Sequence, residues 1–162
     1  MKRILLLSVL IVLIATVGTA QLKQGSYGIQ TSVTGTAGAL GGVYNLAPNM
    51  RLAVNLGFVS AGPSGNTSTD FNIGAGVAYY LGTSENLSTF VGGAFGFNSS
   101  SVSGTSSTGF SLNAQYGAEY WFSSRFSLSG FLQFGFSSSG PSGATTSTFG
   151  TSTGTALTFY FN

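Results

Sequence analysis

The stretch TDFNIGAGVAYYLGTSENLSTFVGGAFGF, residues 69–97, decides how the rest of the chain is read. Its first half alternates with period two. Phe71, Ile73, Ala75, Val77, Tyr79 and Leu81 share one face, and Asn72, Gly74, Gly76, Ala78 and Tyr80 share the other. A strand sends successive side chains to opposite faces, so this is a ribbon with one apolar side and one small or polar side. GTSEN, residues 82–86, interrupts the ribbon with turn-forming residue types, and a second ribbon follows as far as Phe97. The stretch reads as a β-hairpin.

The pattern repeats. In FSLNAQYGAEYWF, the residues Phe110, Leu112, Ala114, Tyr116, Ala118, Tyr120 and Phe122 oppose Ser111, Asn113, Gln115, Gly117, Glu119 and Trp121. In FSLSGFLQFGF, Phe126, Leu128, Leu132, Phe134 and Phe136 oppose Ser127, Ser129, Gln133 and Gly135, with Phe131 breaking the polar side. Eight such ribbons are expected, over 25–34, 37–46, 51–60, 69–81, 87–97, 108–121, 126–137 and 150–161. No helix signal follows residue 20.

The connections sort by length. APNM (47–50), GTSEN (82–86) and FSSR (122–125) are short, whereas SAGPSGNTS, NSSSVSGTSS and SSSGPSGATTST are longer. In an up-and-down meander, alternate connections emerge at one end. Tight turns are therefore expected near 48, 84 and 124 at one rim, and loops near 62–68, 99–107 and 139–147 at the other. Tyr44, Tyr79, Tyr80, Tyr120, Trp121 and Tyr160 cluster toward the tight turns, and Phe58, Phe71, Phe95, Phe97, Phe110 and Phe136 toward the loops. Aromatic rings concentrate at membrane–water boundaries, so two girdles are expected.

Charge points the same way. MKRILLLSVLIVLIATVGTA opens with Lys2 and Arg3, runs apolar from Leu5 to Val17, and ends in small residues. This is the layout of a signal peptide over residues 1–20, with cleavage after Ala20 and one domain over 21–162. The segment 21–162 holds Lys23, Arg51 and Arg125 against Asp70, Glu85 and Glu119, a net charge of zero. Soluble domains carry about 25% charged residues, and an aqueous surface this poor in charge would associate. No basic patch exists for nucleic acid. An exterior that faces hydrocarbon resolves the difficulty, and strands cross hydrocarbon only as a closed barrel, because unpaired backbone amides are too costly there. Ten-residue strands in an even count of eight meet that need.

The segments RLAVNLGF, FNIGAGVAYYLG, LSTFVGGAFGF and SLNAQYGAEYWF resemble those of small bacterial outer-membrane β-barrel proteins, of the porin-like and OmpA-like transmembrane class. The resemblance covers 21–162. It implies an all-β, eight-stranded antiparallel transmembrane barrel in the outer membrane, with short periplasmic turns and longer outer loops. Its implied partners are outer-membrane lipids, the barrel-assembly machinery and an external ligand met through the outer loops. Such proteins often end in an aromatic residue that the machinery reads; here Phe161 precedes a terminal Asn162.

Chemistry is sparse. Histidine and cysteine are absent, which removes the imidazole base, the thiolate nucleophile and most zinc arrangements. No catalytic residue, metal ligand or cofactor is expected. GPSG occurs at 62–65 and 140–143 without the lysine or strand–helix context of a phosphate loop. The residue that stands out is Glu119, an acid within a ribbon and on its inward face. Placing the turn at 122–124 sets Trp121 opposite Arg125 and makes Glu119 and Arg125 diagonal neighbours. Arg51 also points inward and can join them across a narrow lumen. A luminal ion pair of Glu119, Arg125 and Arg51 is the expected constellation, since a confined charge needs a partner. The function expected is a structural or interaction barrel without catalysis. A narrow porin-like channel and a surface adhesion or binding barrel are the alternatives.

Overall fold

A computed structural model describes residues 23–35, 37–61, 68–102, 105–141 and 144–161. The signal peptide expected over 1–20 lies outside the described residues.

Eight strands form: β1 (Tyr27–Thr34), β2 (Ala37–Ala47), β3 (Met50–Ala61), β4 (Ser68–Ser84), β5 (Leu87–Val102), β6 (Thr105–Ser123), β7 (Phe126–Gly140) and β8 (Thr146–Phe161). Each pairs antiparallel with its sequence neighbour, and β8 pairs with β1 to close a barrel. The described residues contain no helix. Closure is what the alternating ribbons demand, because every strand then has two partners through the apolar band.

The pairing is sheared. The chain of partners Ser84, Leu87, Tyr120, Leu128, Leu157, Thr31, Leu40, Leu56 and Ile73 leads once round the barrel and back to β4. It returns eleven residues from its start, and the bulge at Leu81 accounts for one of them. A stagger of this size tilts the strands by roughly 40° to the axis and leaves an interior just wide enough for side chains.

The faces are inverted relative to a soluble protein. Outward-facing Leu112 is 61% exposed, Leu132 46% and Val77 38%, whereas Arg51, Glu119, Asn45, Ser127 and Thr158 are buried inside. Water-facing apolar area on this scale would be an aggregation surface; against lipid it is the required surface.

At the tight-turn rim, three register shifts fall at Asn45/Ala47, Tyr80/Gly82 and Trp121/Ser123. Each shift lets the strand run past the expected ribbon, so that only Pro48–Asn49, Glu85–Asn86 and Ser124–Arg125 remain to turn. At the far rim the difference is larger. The expected loop over 99–107 is a continuing ladder, paired as far as Val102 with Thr105. β7 and β8 likewise pair out to Ser139 with Thr146, and β3 and β4 to Ala61 with Ser68. Ser- and Thr-rich segments read as loops by polarity, yet they sustain a ladder beyond the apolar band because antiparallel pairing tolerates polar residues on both faces where water is the solvent. The β1–β2 connection is short, from Thr34 to Ala37, and Gly35 takes a φ of +59° there, a conformation that glycine adopts without strain.

The expected girdles need correction at the tight-turn end. Tyr44, Tyr79 and Tyr120 do face outward. Tyr80, Trp121 and Tyr160 are buried in the lumen. Tyr79 and Tyr80 are consecutive, as are Tyr120 and Trp121, so only one of each pair can face lipid. The outward Phe58, Phe71, Phe95, Phe97, Phe110 and Phe136 form the other girdle, with Phe149 added. From Tyr79 to Phe71 along β4 the two girdles stand roughly 20 Å apart along the barrel axis.

Candidate functional site: a luminal plug and the cavity above it

The lumen is closed near the tight turns by a cluster that begins with two charges. Arg51 enters from the start of β3, and Glu119 from near the end of β6, across the barrel. The guanidinium Nη1 donates to both carboxylate oxygens of Glu119 at 2.9 Å. It also donates to the Tyr160 hydroxyl at 2.6 Å. Tyr160 in turn donates to Glu119 Oε1 at 3.3 Å. Tyr80 and Ser127 complete the carboxylate shell by donating their hydroxyls to Oε2 and Oε1. Arg51 lies over the Tyr80 ring, with its Cζ 5.3 Å from the ring centre, a cation–π contact.

The network explains how two charges survive in a dry lumen. Glu119 is 0% exposed and Arg51 4%. Burial of an isolated ion costs several kcal/mol, and excellent geometry with every lone pair met is what offsets it. Five strands contribute: β3, β4, β6, β7 and β8. The cluster therefore ties the barrel across its diameter as well as filling it.

Aromatic rings seal the remaining space. Trp121 stacks on Tyr160 at 5.2 Å between centres and donates its indole N–H to Ser88 Oγ at 3.2 Å. Phe90 packs beside Tyr80 at 5.6 Å. Gly117 makes room for Phe90: a Cβ there would lie 2.5 Å from the Phe90 ring. Below, Asn45 donates to Ser26 Oγ at 2.7 Å.

A quasi-repeat positions these side chains. The Tyr80 N–H donates to the carbonyl of Asn49 at 2.8 Å, Trp121 N–H to that of Asn86 at 2.7 Å, and Tyr160 N–H to that of Arg125 at 2.8 Å. Each acceptor sits in the tight turn of the preceding hairpin. The turns thus fix the inward residue at the base of the next descending strand.

Of the expected constellation, Glu119 and Arg51 come together and Arg125 does not join them. The expected register set Glu119 opposite Ser127; the ladder sets it opposite Ser129, and Trp121 opposite Ser127. β6 runs on to Ser123, which moves the turn to Ser124–Arg125 and leaves the Arg125 side chain exposed at the rim. Arg125 contributes through its backbone carbonyl. A shift of two residues preserves facing, which is why Glu119 still points inward. Tyr80 and Tyr160 escaped the sequence reading, whereas the expected register already set Ser127 beside Glu119, and Ser127 does donate to it, from a diagonal position. The signal that finds the two tyrosines is parity with their outward neighbours, Tyr79 and Phe159.

Above the plug lies a cavity of about 120 Å³ that Arg51 and Phe90 floor and Gln30, Asn55, Gln115 and Gln133 line. It adjoins a wider vestibule of about 440 Å³ toward the far rim. Among the described residues, no group of histidine, cysteine, aspartate and glutamate stands together as a metal site. The plug holds one acid, Glu119, whose carboxylate is taken up by Arg51 and by the hydroxyls of Tyr80, Ser127 and Tyr160.

No protein-family model matches the chain, and no curated protein matches it. Solved structures do. The N-terminal β-barrel domain of Pseudomonas aeruginosa OprF aligns with 16% identity and a TM-score of 0.51, over 85% of this chain and 98% of that one. Neisserial surface protein A aligns with 17% identity and a TM-score of 0.51, over 84% of this chain and 94% of that one. Closure, strand count and inverted faces agree with that likeness: the chain has the fold of the small eight-stranded barrels of the bacterial outer membrane.

Proposed function

We propose that the protein is a structural or interaction barrel of the bacterial outer membrane, without catalytic activity and closed to ion flow. The observation that carries this reading is the plug. Arg51, Glu119, Tyr80 and Tyr160 meet within hydrogen-bonding distance across the full width of the lumen. A solute would have to break a buried, hydrogen-bonded ion pair to pass. Export by the signal peptide at 1–20, insertion by the barrel-assembly machinery and solvation by outer-membrane lipids belong to the same reading. The ladders that extend beyond the Phe girdle supply a polar ribbon on which an external ligand can dock, which keeps the adhesive reading beside the structural one.

The narrow porin-like channel is the second reading. The polar cavity above the plug favours it, because amide side chains line a path that reaches the plug itself.

Two measurements decide. Outer-membrane fractions run unboiled and boiled on a denaturing gel should give two mobilities for this chain. A single mobility, or recovery in the soluble fraction, overturns the location. The purified barrel in a planar bilayer should show no discrete conductance steps. Regular steps would replace the closed barrel with the channel.

A further inference from the structure

The barrel wall is uneven, and the unevenness falls where two hollows meet. On the outer face, three of the four hairpins whose tips lie at the far rim carry a direct Phe–Phe pair: Phe58 with Phe71, Phe97 with Phe110, and Phe136 with Phe149. In each, the ladder continues past that pair toward the far rim. The β1–β2 hairpin has no such pair. It ends at Thr34 with Ala37, and its last outward pair is Val33 with Gly38.

Its neighbours overshoot it. β2 pairs with β3 no further than Leu40 with Leu56, so Gly57–Ala61 have β4 as their one ladder partner. β8 pairs with β1 no further than Gly154 with Thr34. The wall therefore dips at the tip of β1–β2, at the height of the Phe girdle, where the outer leaflet's headgroups begin.

Two hollows of opposite character adjoin this gap, and Gly38 and Ala39 line both. Outside lies a groove of about 560 Å³ with Leu40, Leu56, Phe58 and Phe71 in its walls. Inside is the vestibule of about 440 Å³, with Asn55, Asn72, Asn113 and Gln133. No lysine, arginine, aspartate or glutamate lines the vestibule. Within it and the cavity beneath, Asn55 Oδ1 and Gln30 Oε1 are buried without a hydrogen-bond partner, and Gln30 is 7% exposed. An unmet buried acceptor is costly, so these amides favour a guest that brings hydroxyl donors.

We propose that this gap is a lateral binding site for an amphiphile with an uncharged, hydroxyl-rich headgroup, of which a glycolipid sugar is the natural example. The tail lies in the outer groove against Leu40, Leu56 and Phe58. The headgroup passes over Gly38 and Ala39 and bonds to Asn55 and its amide neighbours. A headgroup with a formal charge has no counter-charge to meet there. The proposal rests on the membrane reading above.

Gly38 offers a clean test. A Cβ built on it meets nothing within 4 Å, so Gly38→Phe fills the groove without displacing backbone. Asn55→Leu removes the headgroup contact. Gly130→Phe is the control: it too has open space at its Cβ, and it faces outward on β7 away from the gap. The full barrel, refolded in phosphatidylcholine nanodiscs, is titrated with dodecyl maltoside, maltose and dodecyltrimethylammonium, and complexes are counted by native mass spectrometry. Saturable one-to-one binding of dodecyl maltoside is expected. It should weaken at least tenfold in Gly38→Phe and in Asn55→Leu, and not in Gly130→Phe. Absence of saturable binding, equal binding by all variants, or equal binding of maltose or of dodecyltrimethylammonium overturns the site. Heat-modifiable migration, checked for each variant, separates the two failures: a folded barrel that does not bind sinks this proposal alone, and one that never inserts sinks the membrane reading.

Discussion

Glu119 accepts from four side chains on four other strands, which makes it the residue whose loss is felt most widely. Glu119→Gln leaves Arg51 as a buried charge without a counterion and should lower stability in lipid vesicles by about 3–5 kcal/mol. Arg51→Met should cost a similar amount, and the double variant should recover part of the summed loss. A denaturant-titration cycle over the four proteins measures the coupling directly; a coupling of zero would mean that the pair is incidental. Arg125→Met should shift stability by no more than about 0.5 kcal/mol, because that side chain is exposed and outside the plug. Inward facing of Arg51 and Glu119 was legible from alternation alone. The choice of partner was not. It depends on where a turn begins, and FSSR offers no glycine or proline to mark the point, so the strand could run on through Ser123.

At the scale of the strand, the two-residue period is the whole argument for which face meets lipid. Leu132 and Gln133 are adjacent on β7, one 46% exposed on the outside and one lining the lumen. Leu132→Arg should cost about 2–4 kcal/mol near the bilayer midplane. Gln133→Arg borders a polar cavity and should cost less; equal costs would show that the faces are misassigned. Gly117→Ala tests the inner face by packing. Its methyl group would press on Phe90 and on the Gly130 carbonyl, and overpacking of this kind costs about 1–3 kcal/mol. The existence and order of all eight strands could be read from apolar alternation. Their outer ends could not, because Ser and Thr carry no period, and there a ladder and a loop have the same composition. The register shifts near the tight turns leave no mark in composition either.

For the whole molecule, an even strand number places the start of β1 and the end of β8 at the tight-turn rim. The membrane reading puts that rim in the periplasm. Cysteines at Ser139 and Ser124, exposed at opposite rims, report on this in intact cells. An impermeant thiol reagent should modify Ser139→Cys and leave Ser124→Cys untouched, and the reverse pattern would invert the barrel. Barrel closure followed from sequence through the energetics of hydrocarbon. The plug's aromatic half did not, since tyrosine and tryptophan near a rim suit a girdle as well as a lumen until parity is applied residue by residue.

The short β1–β2 hairpin also has a meaning in time. The seam that closes the barrel runs from Tyr27 with Phe161 to Thr34 with Gly154, whereas β4 and β5 are paired from Ser68 with Val102 to Ser84 with Leu87. A seam half as long is the place where thermal opening should start and where insertion should finish. Unzipping from it would travel outward through β8 and β2 and reach the β4–β6 hairpins last. Amide exchange along β1 should accordingly be the fastest of any strand, which makes the shortest strand the molecule's clock.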